Sequence, residues 1–294
     1  MTIYVKYGRI IERKYKGCTM AKESVTTKEI LLEMLGWFHN FCEENNLRYF
    51  AVGGTLLGAV RHKGFIPWDD DVDVGMPRAD YEKLEKLIGN RENGRYYFET
   101  PSSNRKGYYY AYGKFFDTST TLVENLRDKL PMGVYIDVFP FDGVGETKEE
   151  AMEYLAKIRK KQNLLATRVS GFRKGRSFYK NAAIAAARLV PSFLLNDKKL
   201  LHSLNEMCKS KDFDTSKFVA NINGNWGFKE ITTREIVGTP KLYDFENIKI
   251  RGIEDYDAYL TGVYGDWRQL PPEEKRVSAH DYVYVDFNKP CQLK

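Results

Sequence analysis

Residues 67–74 read Pro67-Trp68-Asp69-Asp70-Asp71-Val72-Asp73-Val74. Four carboxylates in five positions repel one another. Inside a fold they raise each other's pKa unless cations neutralise them. The tail, Asp71-Val72-Asp73-Val74, alternates polar and apolar residues. On a strand this pattern sets Asp71 and Asp73 on one face and sends Val72 and Val74 into the core. Asp is a poor strand former, so two of them in an apolar strand need a reason. Neighbouring carboxylates supply hard oxygen ligands, which suit Mg²⁺ or Mn²⁺. A solvated acidic turn is the plain structural alternative. A calcium-binding EF-hand loop is excluded, because its glycine and distal glutamate are not where such a loop needs them.

Upstream lies Phe50-Ala51-Val52-Gly53-Gly54-Thr55-Leu56-Leu57-Gly58. A strand that ends in Gly-Gly and opens a helix presents backbone N–H groups to an anion, and glycine lets a phosphate approach the main chain. Gly53, Gly54 and Thr55 are therefore candidates for holding phosphates. A third carboxylate is expected on a neighbouring strand. Val134-Tyr135-Ile136-Asp137-Val138-Phe139 supplies one, a single Asp in an apolar run. Asp142 reads instead as a turn residue beside Gly143.

Farther out, residues 26–45 carry Ile30, Leu31, Met34, Leu35, Phe38, Phe41 and Cys42 at helical steps. Residues 48–52 predict a short buried strand. Thr55 caps the helix that follows, residues 72–76 form a strand, and Pro77 suits the first turn of another helix. Strands are expected at 96–100, 108–116, 121–124 and 134–139. Helices are expected at 147–170, 177–195 and 197–210, then strands at 218–223 and 241–250, then a helix at 253–264. This order predicts an α+β fold, a mixed sheet flanked by helices with a helical insertion. It divides the chain into an N-terminal extension (1–25), a catalytic core (26–145), a basic helical region (146–215) and a C-terminal α/β segment completing the site (216–294).

The 294 residues are 43% hydrophobic and 29% charged, the balance of a globular protein with a real core. Cys18, Cys42, Cys208 and Cys291 have neither zinc-ligand nor redox-motif spacing, which fits reduced thiols in the cytoplasm. No long apolar run marks a signal peptide or an N-terminal anchor. The net charge of +6 is localised: residues 157–196 hold ten Lys or Arg and no Asp or Glu. One basic patch on an otherwise acidic protein argues against nucleic-acid binding. It fits peripheral contact with the inner face of the cytoplasmic membrane, or with the phosphates of an acceptor polymer.

Together these residues resemble the nucleotidyltransferase superfamily: strand, Gly-Gly, helix, Asp-x-Asp strand and a third acidic strand. More closely, the run from Gly53 to His62 and from Gly64 to Asp73 is similar to the signature of the LicD family of phosphocholine transferases. The likeness continues at Lys114, at Ile136-Asp137-Val138-Phe139-Pro140, at Tyr264-Gly265-Asp266-Trp267 and at Leu270-Pro271-Pro272-Glu273-Glu274-Lys275-Arg276. The resemblance implies transfer of phosphocholine from CDP-choline to a sugar hydroxyl of a bacterial surface glycan, with CMP released. That glycan could be teichoic acid, lipopolysaccharide or capsule, and it could be lipid-linked. Related enzymes move ribitol phosphate or glycerol phosphate from their CDP forms. A true nucleotidyltransferase and an inactive glycan-binding relative are the remaining alternatives.

On this reading Asp71, Asp73 and Asp137 are catalytic and bind the metal, with Asp137 placed to draw off the acceptor proton. Asp69 and Asp70 belong to an outer shell or an additional ion. Arg61, Lys114, Lys275 and Arg276 are candidate positive charges on the diphosphate. Trp68 is a candidate ring for the choline cation, at roughly 0.5–2 kcal/mol per ring. His62 and His280 are assigned no proton transfer.

Overall fold

The computed structural model describes residues 5–6, 9–10, 26–88, 94–103, 105–172, 176–277, 280 and 282–293. The expected N-terminal extension lies outside them, apart from β1 (Val5–Lys6) and β2 (Arg9–Ile10), an antiparallel pair. Helix α1 (Thr27–Glu44) starts where its sequence signals it. Thr26 accepts the Glu29 amide while the Glu29 carboxylate reaches back to the Thr26 amide, a capping box worth about 1 kcal/mol. Of the predicted stripe, Ile30, Leu31, Met34, Leu35, Phe38 and Cys42 are buried, and Phe41 is half-buried at its edge.

Next come β3 (Phe50–Ala51), α2 (Gly53–His62), β4 (Asp73–Pro77) and α3 (Arg78–Ile88). Two local expectations change here. Pro77 ends β4 rather than opening α3. Helix α2 starts at the glycines with Val52 as its N-cap, so Thr55 lies inside it and takes another partner. After these follow β5 (Tyr96–Glu99), β6 (Gly113–Asp117), β7 (Thr121–Glu124), β8 (Pro131–Met132) and β9 (Tyr135–Gly145). The strand expected at 108–116 forms only from Gly113. Before it the Tyr108 hydroxyl donates to the carbonyls of Glu99 and Tyr112, which folds that segment back on itself.

All eleven residues of β9 are buried, the behaviour of a central strand covered on both faces. Asp142 is therefore not a turn residue. It lies fully buried within β9 and takes two hydrogen bonds of 2.7 Å from the Arg78 guanidinium.

The helical insertion is α4 (Lys148–Val169), α5 (Phe178–Leu189) and α6 (Asp197–Cys208). Helix α5 stops two residues short of Pro191, which cannot continue it, so the stretch expected to 195 ends early. Then come β10 (Phe218–Ala220), β11 (Ile231–Thr233), α7 (Arg234–Val237), β12 (Lys241–Phe245), β13 (Ile248–Gly252), α8 (Tyr256–Tyr264) and β14 (Tyr282–Asp286). The single strand expected at 241–250 is a hairpin, turned at Glu246 with φ +52°. The strand expected to 223 ends at Ala220.

The main sheet runs β11-β10-β9-β4-β3-β13-β12, with β6 also on β9 and β5 on β6. It is mixed: β9 pairs β4 and β3 pairs β13 in parallel, and the other pairs are antiparallel. The expected α+β mixed sheet with flanking helices is what forms. The central core packs α1, α2, α3 and α8 against this sheet, and a second core joins α4 and α6 to β10. A smaller sheet, β14-β7-β8, closes one side through Leu122, Met132 and Val285.

Candidate active site

Register builds the site. Parallel pairing of β4 with β9 sets Asp73 opposite Asp137, and antiparallel pairing of β6 with β9 sets Lys114 opposite the same Asp137. Three charged side chains thus stand in a row across three strands. The extended chain before β4 keeps the predicted alternation: Val72 and Val74 are fully buried, while Asp71 and Asp73 turn to the other side. Strand β3 ends and β4 and β9 begin at this same edge, so the start of α2 faces the row.

Lys114 is only 1% exposed. Its Nζ donates to Asp137 Oδ1 at 2.7 Å and lies 3.3 Å from Glu124 Oε1. The same ammonium sits 3.4 Å from the Tyr135 ring centroid and 4.4 Å from that of Tyr110. Burial works to discharge the lysine, but Asp137 and Glu124 outweigh it and raise its pKa. Burial likewise pushes Glu124 up, and Lys114 with the Tyr110 and Tyr135 hydroxyls brings it below the usual range.

The aspartates behave oppositely. Burial raises Asp73 well above the ordinary carboxylate value, and the charges of Asp71, Asp137 and Asp69 add to it. Asp69 is pushed to about 7, by burial and then by Asp71. Burial also raises Asp71 against the opposing charge of His280, and raises Asp137 against that of Lys114. Burial and mutual repulsion thus oppose the charges of these acids, and an added cation would relieve both. The donors are all hard oxygens, the chemistry of a Mg²⁺ or Mn²⁺ site. Among the described residues no group of three or more His, Cys, Asp or Glu side chains is placed as it stands to hold a metal ion.

The glycines belong to the same surface. Gly53 has φ +53°, and a Cβ there would stand 3.5 Å from Asp73 Oδ2. A Cβ on Gly54 would come within 2.6 Å of Asp69 Oδ2. Side chains at these two positions would fill the gap between the helix start and the acids, which the glycines keep open. Thr55 Oγ1 accepts the Asp73 amide at 2.8 Å, so this residue fixes the start of β4, and its O–H is left to donate. The loop between α2 and β4 is clamped: Lys28 Nζ donates to the carbonyls of Ile66 and Pro67, and Glu246 accepts the Phe65 amide.

The other predicted residues divide. Arg61 Nη1 donates to the Trp267 carbonyl at 2.7 Å and Nε to His62 Nε2 at 3.0 Å, tying α2 to the segment after α8. The Arg276 guanidinium lies over the Trp68 ring at 5.5 Å and donates to the Pro271 carbonyl, so these two form one wall. Lys275 is exposed in a short 3-10 turn, Glu273–Lys275.

Glu124 and Glu230 were not picked out from sequence, and His280 and Tyr264 were named there without a role in the site. His280 Nδ1 lies 2.8 Å from Asp70 Oδ1, and Nε2 lies 3.5 Å from Asp71 Oδ2. Burial opposes its charge, but Asp70 and Asp71 hold its pKa up at about 9, so it is an imidazolium at neutral pH. Glu124 anchors Lys114. Tyr264 points its hydroxyl toward Gly53, and its ring meets Trp226 edge-on at 4.9 Å. Glu230 sits behind them, 3% exposed, with Oε1 accepting the Trp226 amide.

Burial drives Glu230 from 4.5 to about 7, against the Trp226 amide and Arg159. The folded value lies above the unfolded one. Its contribution to stability is therefore full below 4.5 and is lost as pH rises through about 7. Glu230→Gln should flatten the fall in stability between pH 5 and 8, by up to about 3 kcal/mol at 1.36 kcal/mol per pKa unit, and so flatten the Tm–pH curve. Parallel Tm–pH curves for the two proteins would contradict this account.

Known sequences resemble this chain along the same region. The family model described as LicD/FKTN/FKRP, nucleotidyltransferase domain, matches residues 46–166, from before β3 into α4. The lipopolysaccharide cholinephosphotransferase LicD of Haemophilus influenzae is 32% identical over 254 residues, covering 85% of this chain and 93% of that protein. The human and mouse ribitol 5-phosphate transferase FKRP are each 49% identical over 47 residues, 16% of this chain and 10% of theirs. With identity sustained along nearly the whole Haemophilus protein, and the matched domain holding every aspartate of the row, this chain belongs to the LicD family.

Proposed function

We propose that the protein transfers phosphocholine from CDP-choline to a sugar hydroxyl of a cell-surface glycan and releases CMP. The observation that carries this reading is near full-length similarity to a lipopolysaccharide cholinephosphotransferase, joined to the Asp73–Asp137–Lys114 row beneath a Gly-Gly helix start. Asp71, Asp73 and Asp137 would hold Mg²⁺, with Asp69 beside them. A divalent cation bound there neutralises the diphosphate and acidifies the attacking hydroxyl.

The chain's own residues do the remaining work. The amides at the start of α2 face the diphosphate, and the glycines leave it room. Lys114 holds one oxygen of Asp137, which fixes the carboxylate and leaves its second oxygen for the acceptor proton. The His280 imidazolium holds Asp70 and Asp71 in place at the mouth. Trp68, with Arg276 over it, and Trp226, against Tyr264, offer aromatic faces for a quaternary ammonium.

A second reading, transfer of ribitol phosphate from its CDP form, is supported by the short but denser match to the ribitol 5-phosphate transferases. Both readings use the same diphosphate chemistry. Purified protein incubated with CDP-choline, Mg²⁺ and a lipopolysaccharide oligosaccharide should release CMP and add a phosphocholine mass to the acceptor. A nucleotide on the acceptor, or turnover with CDP-ribitol alone, would overturn the phosphocholine assignment.

A further inference from the structure

We infer that α5 and the turn after it form a docking surface for an anionic lipid bilayer. This goes beyond the transfer reaction and does not depend on it. A surface helix ordinarily turns its apolar stripe inward. Helix α5 does the reverse. Its inward side is Asn181, Ile184 and Arg188, and only Ile184 is fully buried. Its outward side carries Phe178, Tyr179 and Leu189 with alanines between them, and the turn beyond adds Phe193 and Leu194. These five side chains are 69% to 84% exposed. Single exposed apolar residues are ordinary, but five large ones on one short element are not.

The surroundings select the occupant. Residues 157–196 hold ten cations and no acid. Among them, Lys180 on α5 and Lys157 and Lys160 on the adjoining α4 are exposed. Arg173 and Lys174 lie outside the described residues. A soluble polyanion would use the cations and leave the apolar face idle. A second copy would set cation against cation. A bilayer with anionic headgroups uses both features at once. The element is built to lie on the membrane: α5 has twelve residues, and among those described no helix is long and apolar enough to cross one.

The surface is held in place. Arg168, itself buried, donates to the carbonyls of Ala187, Val190 and Leu195, which pins the end of α5 and its turn. On the same helix α4, Arg159 and Gln162 donate to the carbonyls of Gly224 and Ile222 in the turn that leads to Trp226. One helix thus joins the docking face to the rim of the acidic site.

The test is co-sedimentation of the full chain with phosphatidylcholine vesicles, with and without phosphatidylglycerol. The bound fraction should rise about tenfold with the anionic lipid and fall away at high salt. Phe178→Ser/Leu189→Ser/Phe193→Ser should lower binding about tenfold while Tm and turnover on a soluble acceptor hold. Lys157→Glu/Lys160→Glu/Lys180→Glu should weaken binding with the apolar face intact. No binding at low salt, equal binding to neutral vesicles, or a lipid-free dimer that the serine variant dissolves would overturn the inference.

Discussion

Asp73→Asn should lose turnover by about a thousandfold or more while the fold becomes no less stable. The two halves of this result have one cause. Asp73 has its pKa raised far above the ordinary value by burial and by Asp71, Asp137 and Asp69. In the folded protein burial and the neighbouring acids oppose the ionised form, so removing that charge removes repulsion. The sign follows from the raised pKa: stability from this group is full below its unfolded pKa and is lost as pH rises through the folded one. Asn has the same shape and leaves the Asp73 amide on Thr55 Oγ1 untouched. The Tm of the variant at pH 8 in a chelator should equal or exceed that of the wild type. Adding Mg²⁺ should raise the wild-type Tm and leave the variant's nearly unmoved. Asp71→Asn should behave alike. Retained turnover in either variant would refute the metal role. Lost turnover together with a much lower Tm would mean that the aspartate serves the fold instead.

The parts of the site readable in the sequence are those whose physics is local. Alternation in Asp71-Val72-Asp73-Val74 states which side of a strand each residue faces, and the structure keeps that order. The Gly-Gly run marks a helix start, and α2 begins there. Asp137 stood out because one acid in an apolar strand is costly without a partner. Glu124 and His280 gave no such signal. Glu124 closes an unremarkable four-residue strand, and it reaches Lys114 only because the small sheet folds over β6 and β9. His280 is 210 positions from Asp70 and meets it through the chain's return after α8. The reading of Asp142 failed for a related reason. An acid before Gly143 looks like a turn, and only Arg78, brought from the start of α3, makes its burial tolerable. Long-range charge pairing leaves no periodicity behind, so such residues become visible only once the sheet is assembled.

Lys114 shows the same point in the direction of stability. Sequence reading placed it on the diphosphate, but its ammonium is 1% exposed and committed to Asp137 and Glu124, with three tyrosine rings around it. Lys114→Met keeps the length and apolar stem of the side chain and deletes only the charge. Two buried carboxylates then lose their cation, which should cost about 3–5 kcal/mol at pH 8. Without the lysine, burial raises both acids, so their folded pKa values exceed the unfolded ones. The loss should therefore shrink toward pH 5, where both take up protons. Glu124→Gln on the Lys114→Met background removes one of the stranded charges and should recover a substantial part of the stability. It should not recover turnover, because Asp137 remains unheld and titrates at a higher pH, shifting the acid limb of the pH–rate profile upward. A residue bound to the diphosphate would give another pattern: KM for the donor would rise, stability would hold, and Glu124→Gln would rescue nothing. Urea melts at two pH values, with donor kinetics on the wild type and the two variants, separate a lysine that positions Asp137 from one that binds phosphate.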